Sequence, residues 1–297
     1  KNIFFDSKNK ANKEIYTKEI LTKFINDAFR KKVNEQTVNI YYNFWKSIKG
    51  EFPRYEDGVK EALVAVLCSP EFLFIAEPGV KQQGTPKVNE FQLANRLSYF
   101  LWNQPPDKRL LDLAYSFRLS SNLDKEIDRM VQDPKSNYFI ETFASEWLRM
   151  DRLESISTDF NKYQNYNRFV KADMAKETRA FLAYILKNNM SIQNFIDSDF
   201  ALLNQNLAEF YGIKGVQGTN FRPVKLKPED NRGGLITQGS FLTGHSDGLQ
   251  AHPIKRGVWL MEKLLDDEPP PPPPNVPALD SEEPSFKGLT IKQQLEL

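Results

Sequence analysis

The sequence predicts an all-α protein with two or three packed helical subdomains, followed by a C-terminal polyproline segment and tail. In most windows before Phe221, apolar residues recur at the three- and four-residue spacing of an amphipathic helix. Aromatic residues make up 12% of the chain and glycine only 14 of its 297 residues, which favours packed helices over a turn-rich β architecture. Phe221–Leu226 is the only stretch suited to a strand, so we expect at most one small sheet.

The helices follow from the apolar stripes and from the residues that begin and end them. We predict helices at Lys13–Arg30, Asn34–Lys49, Tyr55–Ser69, Asn89–Trp102, Lys108–Ala114, Leu123–Val131, Tyr138–Leu148, Lys171–Lys187 and Ile254–Leu265. Pro70 is expected to end the third of these helices. A further helix is predicted to begin after Asn204 as its N-cap and to stop at Gly212. Glu154–Asn167 has no clear period and is predicted to be an irregular loop.

Breaks between the helices predict the domain organisation. Glu77–Lys87 is rich in glycine, proline and polar residues, which is typical of a linker or exposed loop. It separates a small helical domain at 1–80 from a helical domain at 88–152, and a second helical domain is predicted at 168–268. The region 269–297 is predicted to be a polyproline rod and tail leading to a further module.

The rod begins with six consecutive prolines, Pro269–Pro274. Proline has a fixed φ and no amide hydrogen, so this run is expected to adopt the extended polyproline II conformation on the surface. Leu279, Phe286, Leu289 and Ile291 are the apolar residues available to anchor the tail. We therefore expect Asn275–Leu297 to fold back onto the helical body.

Charge and cysteine content exclude several classes of protein. Lys plus Arg (40) nearly balances Asp plus Glu (39), so no net positive field indicates nucleic-acid binding. Cys68 is the single cysteine, which excludes a disulfide framework or a cysteine-rich metal site within the chain. No stretch reaches about 18 consecutive apolar residues, so no transmembrane segment is predicted.

Several sequence blocks resemble a known family. The string NRLSYFLWNQPPDKRLLDLA at Asn95–Ala114, followed by FASEWLRM, resembles the helical domains of unknown function in the planctomycete-type cytochrome c family. The strings ETRAFLAYIL, RGGLITQGSFLT, HPIKRGVWLMEKLL and PPPPPPNVP are similar to the domain that follows in that family. Lys18–Glu77, which ends in LCSPEFLFIAE, is similar to the small domain that precedes both. The resemblance covers nearly the whole chain, in the right order.

The resemblance implies an exported bacterial protein, periplasmic or at the cell surface, whose intact form carries haem c. In that family the proline rod and a helix similar to Leu289–Leu297 lead into a Cys-x-x-Cys-His haem attachment motif, which this sequence does not contain. Covalent haem attachment needs two thiols and an iron-ligating histidine, and Cys68 in an apolar helix does not supply them. We therefore expect no cofactor in this fragment itself, and we expect a downstream haem c module or a redox partner protein as its partner.

The segment Gly244–Arg256 holds both histidines of the chain. His245 and His252, together with Asp247, are candidates for a metal site or for holding the haem iron of a neighbouring module. The alternative is that one histidine caps a helix and the other lies exposed, because a separation of seven positions is not a fixed ligand spacing. We name both histidines as candidate cofactor-binding residues and assign no metal.

Lys255 and Arg256 complete this candidate site. They stand at the start of a predicted helix, where positive charge opposes the helix dipole, and this indicates a specific anionic partner. A haem propionate or a carboxylated sugar fits such a pair. The alternative is a structural ion pair with Asp247 or Glu262.

Arg232-Gly233-Gly234 is a second candidate anion site. This segment is predicted to open another helix, whose free backbone amides suit an anion. Capping of those amides by a local side chain is the alternative.

The sequence leaves three functions open and assigns no catalytic residue. The first is a helical scaffold or docking region of an exported haem-c-associated bacterial protein, related to electron transfer. The second is an oxidative enzyme acting on an extracellular polymer or other large substrate. The third is a structural subunit of a cell-envelope assembly.

Overall fold

The computed structural model describes residues 3–75, 88–270, 289 and 293. In that part of the chain there are thirteen α-helices and one two-stranded sheet, so the prediction of a mostly helical fold is confirmed. Contacts between residues divide the chain into two compact units, Lys1–Tyr138 and Phe139–Leu297. The linker at 77–87 and nearly all of the proline rod and tail lie outside the described residues, and the domain boundaries derived from the sequence stay predictions.

Seven helices lie in the first unit, and an eighth begins there. They are α1 (Lys13–Phe29), α2 (Glu35–Ile48), α3 (Tyr55–Leu67), α4 (Pro70–Leu73), α5 (Glu90–Trp102), α6 (Lys108–Tyr115) and α7 (Leu123–Gln132), with a short 3₁₀ turn at Ser120–Asn122. Asn12, Asn34, Asn89 and Asp107 cap α1, α2, α5 and α6 by accepting hydrogen bonds from backbone amides. Pro70 does end α3, but it also starts the short α4, which was not predicted.

Helices α1, α2 and α3 enclose the first core. Tyr16, Trp45 and Val59 are almost completely buried there. At the end of α1, Arg30 takes a left-handed conformation with φ 55°, and its guanidinium donates to the carbonyl oxygens of α4 and of the residues beside it. The same guanidinium donates to the Tyr99 hydroxyl at 3.1 Å, so a single cation joins α1, α4 and α5.

A buried carboxylate organises the second half of this unit. Glu126 on α7 is fully buried and forms ion pairs with Arg109 at 2.6 Å and Arg129 at 2.8 Å. Arg129 also pairs with Asp107 at 2.9 Å and lies over the Trp102 ring. Because both oxygens of Glu126 are engaged by cations, the cost of burying the charge is offset.

The second unit contains the remaining elements. Its helices are α8 (Ser136–Trp147), which starts in the first unit, α9 (Met150–Ser155), α10 (Arg168–Lys187), α11 (Gln205–Tyr211), α12 (Gly239–Gly244) and α13 (Pro253–Leu264), with 3₁₀ turns at Ile192–Phe195, Pro228–Asp230 and Leu235–Thr237. Residues 156–167 form no helix, as predicted, although α9 covers the first two residues of the predicted loop. Among the described residues, no helix has the length and apolar character needed to cross a membrane.

The sheet is a short antiparallel pair. Strand β1 (Phe200–Leu203) pairs with β2 (Arg222–Lys225), with Phe200 opposite Lys225 and Leu203 opposite Arg222. The predicted strand at 221–226 is confirmed, but its partner β1 was not predicted. All four residues of β1 are buried, so the segment lacks the alternation of polar and apolar residues that marks a half-buried strand.

Trp259 fixes helix α13 onto the second core. Its indole nitrogen donates to the carbonyl oxygen of Trp147 at 2.9 Å, and its ring packs edge-on against Phe241. These contacts join α13 to α8 and α12. The segment between α12 and α13, which holds both histidines, is therefore held at each end by buried aromatic residues.

Candidate functional site

The segment between α12 and α13 forms a tight hairpin. Ser246 and Ala251 form an isolated antiparallel bridge, and the Asp247 carboxylate accepts the backbone amides of Leu249 and Gln250 at 2.8 and 2.6 Å. Gly248 at the turn has φ 88°, a conformation that residues with a Cβ rarely adopt. Asp247 thus stabilises the turn, and its pKa is lowered chiefly by these backbone hydrogen bonds.

His245 is completely buried at the end of α12. Its Nδ1 lies 2.9 Å from the carbonyl oxygen of Phe241, so Nδ1 carries the proton and donates it. Its Nε2 is buried and has no hydrogen-bond partner in the described part of the chain. Burial lowers the pKa of His245, and the nearby cations Arg152, Arg256 and Arg149 lower it further, so the imidazole is neutral at pH 7.

His252 has a different role. Its Nδ1 accepts the backbone amide of Lys255 at 3.4 Å, so His252 is the N-cap of α13. Partial burial lowers its pKa, and the charge of Lys255 acts in the same direction. The capping alternative is thus found for His252, whereas His245 is buried rather than exposed. The described residues contain no group of three or more His, Cys, Asp or Glu side chains that could hold a metal ion.

Four cations gather around the two histidines. Arg149, Arg152 and Arg256 act electrostatically on His245, and Lys255 acts on His252. We call these four residues the basic cluster. Arg149 pairs with Asp151 at 3.4 Å, but Arg152, Lys255 and Arg256 form no ion pair within the described ranges. The predicted alternative of an ion pair from Lys255 or Arg256 to Asp247 or Glu262 is therefore not found.

A cavity of about 620 Å³ opens beside the hairpin. It is lined by the loop after α9, one residue of α10, the end of α11, Arg232, helix α12 and the hairpin. The lining residues are Thr158, Asn161, Lys162, Tyr163, Gln164, Asn165, Tyr166, Met174, Phe210, Tyr211, Arg232, Gly239, Leu242, Thr243, Ser246, Gly248, Leu249, Gln250 and Ala251. The hairpin predicted to be functional thus contributes to the cavity, but His245, His252, Lys255 and Arg256 do not line it.

Contacts between two loops hold one wall of this cavity. The carbonyl oxygen of Leu249 accepts the Lys162 ammonium at 2.9 Å and the Tyr163 hydroxyl at 2.7 Å. The carbonyl oxygen of Gly248 accepts the backbone amide of Asp159. A Cβ on Gly248 would lie 2.1 Å from the Ser157 carbonyl oxygen, so a larger residue would push the loops apart.

A buried carboxyl group lies behind the cavity lining. Glu177 on α10 is 2% exposed, and its Oε2 accepts the Tyr211 hydroxyl at 2.6 Å. The Tyr211 oxygen in turn accepts the backbone amide of Gly239 at 2.9 Å. Burial raises the pKa of Glu177 to about 7, although Tyr211 and Arg232 act to lower it. Glu177 therefore titrates near neutral pH.

Arg232 completes this group. Its guanidinium carbon lies 3.4 Å from the centre of the Tyr211 ring, and its Nη1 donates to the Thr237 carbonyl oxygen at 2.9 Å. For the backbone amides of Arg232–Gly234, the alternative of capping by a local side chain is found, because the Gly233 amide donates to the Thr237 hydroxyl at 2.9 Å. The segment leads into the 3₁₀ turn Leu235–Thr237 and not directly into the predicted α-helix. Arg232 is one of the residues that line the cavity.

Glu177, Tyr211 and Arg232 were not recognised together from the sequence. One signal was present: Glu177 lies three residues after Met174 and next to Thr178, on the apolar stripe of α10 that predicts burial. A carboxylate on such a stripe needs partners inside the fold.

Three family models match successive parts of the chain. They are PSD5, a protein of unknown function (DUF1595), at residues 16–77; PSD4, a protein of unknown function (DUF1592), at 88–213; and PSCyt3, a protein of unknown function (DUF1588), at 232–297. The chain carries these three domains in succession. They are known as planctomycete cytochrome-c-associated domains, which agrees with the resemblance found in the sequence. No curated protein and no solved structure matches the chain significantly.

The candidate groups fall in different matched segments. Glu177 and Tyr211 belong to the PSD4 segment, and Arg232 is the first residue of the PSCyt3 segment. The cavity is thus built by both domains within one compact unit. The basic cluster likewise combines Arg149 and Arg152 from PSD4 with Lys255 and Arg256 from PSCyt3.

Proposed function

We propose that this chain is the helical docking region of an exported haem-c-associated bacterial protein, which presents a haem c module for electron transfer. The proposal is supported by the three cytochrome-c-associated domains and by the basic cluster. In this proposal the helices supply surface and orientation, while the haem supplies the redox chemistry.

The residues of this chain do not fit covalent haem attachment. Cys68 is the single cysteine, and it lies exposed at the end of α3 rather than inside an apolar helix. Attachment needs a second thiol and an available histidine. Nε2 of His245 has no hydrogen-bond partner among the described residues, but it is sealed in the core, so we do not propose His245 as an axial ligand.

The basic cluster is suited to an acidic docking surface. Arg152, Lys255 and Arg256 have no carboxylate partner within 4 Å in the described part of the chain, and α9 and α13 hold them on one unit. Guanidinium groups bind carboxylates in a planar, two-point geometry, and such contacts accelerate association at low salt. We propose that they face the acidic surface of the haem c module, haem propionates included.

Charge reversal tests this proposal. The intact gene product is first purified and checked for covalently bound haem by its Soret band. The haem module is then expressed separately, and its affinity for this chain is measured by calorimetry at low and high salt. The double variant Arg152→Glu/Arg256→Glu should lose at least tenfold in affinity at low salt, and the wild-type affinity should fall as salt rises.

A matched control uses two arginines outside the cluster. Arg118 and Arg168 are exposed and form no ion pair among the described residues, so Arg118→Glu/Arg168→Glu makes the same change in net charge. This control should bind nearly as the wild type does. An intact gene product without covalent haem, or equal losses in the two double variants, would contradict the docking proposal.

One observation favours the enzyme hypothesis as a second candidate. A cavity of about 620 Å³ with a buried carboxyl group of raised pKa behind its lining is typical of small-molecule sites. An oxidative reaction would need an electron acceptor such as the haem of the intact protein. The structural-subunit hypothesis stays a prediction.

A further inference from the structure

The cavity of the second unit has the charge pattern of an anion-binding site. Its lining contains two cations, Lys162 and Arg232, and no aspartate or glutamate. Lys162 is engaged by the carbonyl oxygen of Leu249, whereas Arg232 has no ion pair among the residues described. The two cations of this lining attract a negatively charged group.

Arg232 is oriented to present one edge of its guanidinium. One face lies against the Tyr211 ring at 3.4 Å, and Nη1 is fixed by the Thr237 carbonyl oxygen. The Nε and Nη2 donors make no hydrogen bond to any described residue. A guanidinium held in this way loses little conformational freedom when it binds a carboxylate through two parallel hydrogen bonds.

The rest of the lining suits a ring that carries polar groups. Four aromatic side chains supply flat apolar surface: Tyr163, Tyr166, Phe210 and Tyr211. Four side-chain amides, from Asn161, Gln164, Asn165 and Gln250, supply hydrogen-bond donors and acceptors. The volume of about 620 Å³ holds a ligand of one or two rings.

Tyr166 provides a second, independent observation. Its hydroxyl oxygen is buried and lies near the Thr243 hydroxyl, but the two groups do not form a hydrogen bond of good geometry. Buried hydroxyl groups are nearly always satisfied, so an unsatisfied one at a cavity indicates a missing partner. A ligand oxygen in the cavity supplies that partner.

We propose that this cavity binds a small ring compound bearing a carboxylate, with Arg232 holding the carboxylate, Tyr166 donating to a second oxygen and the aromatic side chains contacting the ring. The proposal is independent of the docking of a haem module, because the basic cluster does not line the cavity. A sugar acid and an aromatic acid share this chemistry, and the experiment distinguishes them.

Glu177 gives the site a pH dependence. The charged and polar groups that face its carboxyl are the Tyr211 hydroxyl from α11, Arg232 from the segment before α12, and the Gly239 amide at the start of α12. When Glu177 is ionised, it competes with the ligand carboxylate for the positive charge of Arg232. Affinity for the acid is therefore expected to fall severalfold between pH 6 and pH 8.

The test is calorimetric titration of the purified chain at pH 6 with two matched pairs of probes. The pairs are glucuronate with glucose, and 4-hydroxybenzoate with phenol. One acid should bind at least tenfold more tightly than its uncharged counterpart. The pair of probes that shows this difference identifies whether the ligand has a sugar ring or an aromatic ring. Failure of both acids to bind at 10 mM, or equal binding of acid and neutral probe, would overturn the proposal.

Three variants test the separate roles of Arg232, Tyr166 and Glu177 in binding the acid. Arg232→Gln should weaken binding of the acid at least tenfold. Tyr166→Phe should weaken it severalfold with little loss of stability, because the hydroxyl makes no hydrogen bond of good geometry with its neighbour Thr243. Glu177→Gln should keep binding but remove the loss between pH 6 and pH 8. Arg168→Gln is the matched control, since Arg168 also lies over an aromatic ring, that of Phe169, but outside the cavity. Wild-type affinity in Arg232→Gln would refute the role of this arginine even if Tyr166→Phe behaves as expected.

Discussion

The Tyr211 hydroxyl donates a 2.6 Å hydrogen bond to Glu177, a carboxyl group that is almost fully removed from water. Burial opposes ionisation of Glu177, and the Tyr211 hydroxyl and Arg232 favour it; burial has the larger effect, so the pKa rises to about 7. Burial of the phenol raises the pKa of Tyr211, and ionised Glu177 raises it further. The pair therefore holds at most one negative charge in the physiological range.

The first prediction concerns the pH dependence of stability that Glu177 imposes. Its pKa rises from 4.5 in the unfolded chain to about 7 in the fold, so the folded state binds the proton more tightly. This contribution is fully present below pH 4.5 and is lost as pH rises through 7. Relative to Glu177→Gln, the wild type should lose on the order of 1–3 kcal/mol in free energy of unfolding between pH 5 and pH 8.

Urea denaturation at both pH values measures this difference. The control is Glu209→Gln, because Glu209 lies exposed on α11 and its substitution should leave the pH dependence of the wild type unchanged. If Glu177→Gln and the wild type lose stability in parallel, Glu177 is not ionising in this range.

The second prediction concerns His245, whose contribution to stability depends on pH in the opposite direction. Burial lowers the pKa of His245 below 6.5, so the unfolded chain binds the proton more tightly than the fold does. The stabilising contribution of the neutral imidazole is present above pH 6.5 and is lost as pH falls towards the lowered folded value. His245→Leu should therefore be less sensitive to acid than the wild type between pH 7 and pH 5, as measured by thermal unfolding.

This substitution leaves the local backbone satisfied. The Phe241 carbonyl oxygen also accepts the backbone amide of residue 245 at 3.1 Å, so it keeps a partner when the imidazole is removed. His252→Asn is the comparison, because asparagine is a good N-cap and His252 is only partly buried. Because His252 is less buried than His245, a change in acid sensitivity that is equal in the two variants would argue against the complete burial of His245 as the cause.

The helices were predictable because their signals are local. Apolar stripes and N-caps such as Asn34 and Asn89 lie within the elements they define, and the observed bounds of most helices differ from the predicted ones by one or two residues. Strand β1 was not predicted because Phe200–Leu203 is buried on both faces. A short apolar run has no periodicity that distinguishes a strand from a helix.

The site was only partly predictable because its contacts join distant residues. The hairpin after α12 was recognised from its histidines and glycines, yet one histidine is sealed in the core and the other caps a helix. The cavity depends on Tyr211 reaching Glu177, 34 positions earlier, and on Gly248 meeting Ser157. Neither contact follows from periodicity or composition.

The third prediction compares a buried ion pair with an exposed one in the first unit. Glu126 is fully buried and holds Arg109 and Arg129, so Glu126→Gln removes a charge on which two cations depend. Arg109 is mostly exposed and Arg129 keeps Asp107, which limits the penalty to on the order of 2–4 kcal/mol.

The exposed pair between Lys108 and Asp112 on α6 supplies the control. Both side chains are more than half exposed, so water competes with the 2.6 Å contact, and Asp112→Asn should cost less than about 1 kcal/mol. Urea unfolding followed by tryptophan fluorescence measures both variants, since Trp102 lies beneath Arg129 and senses the loss of this packing. Because the two substitutions remove one carboxylate each, equal costs would mean that burial of Glu126 adds nothing to the strength of its ion pairs.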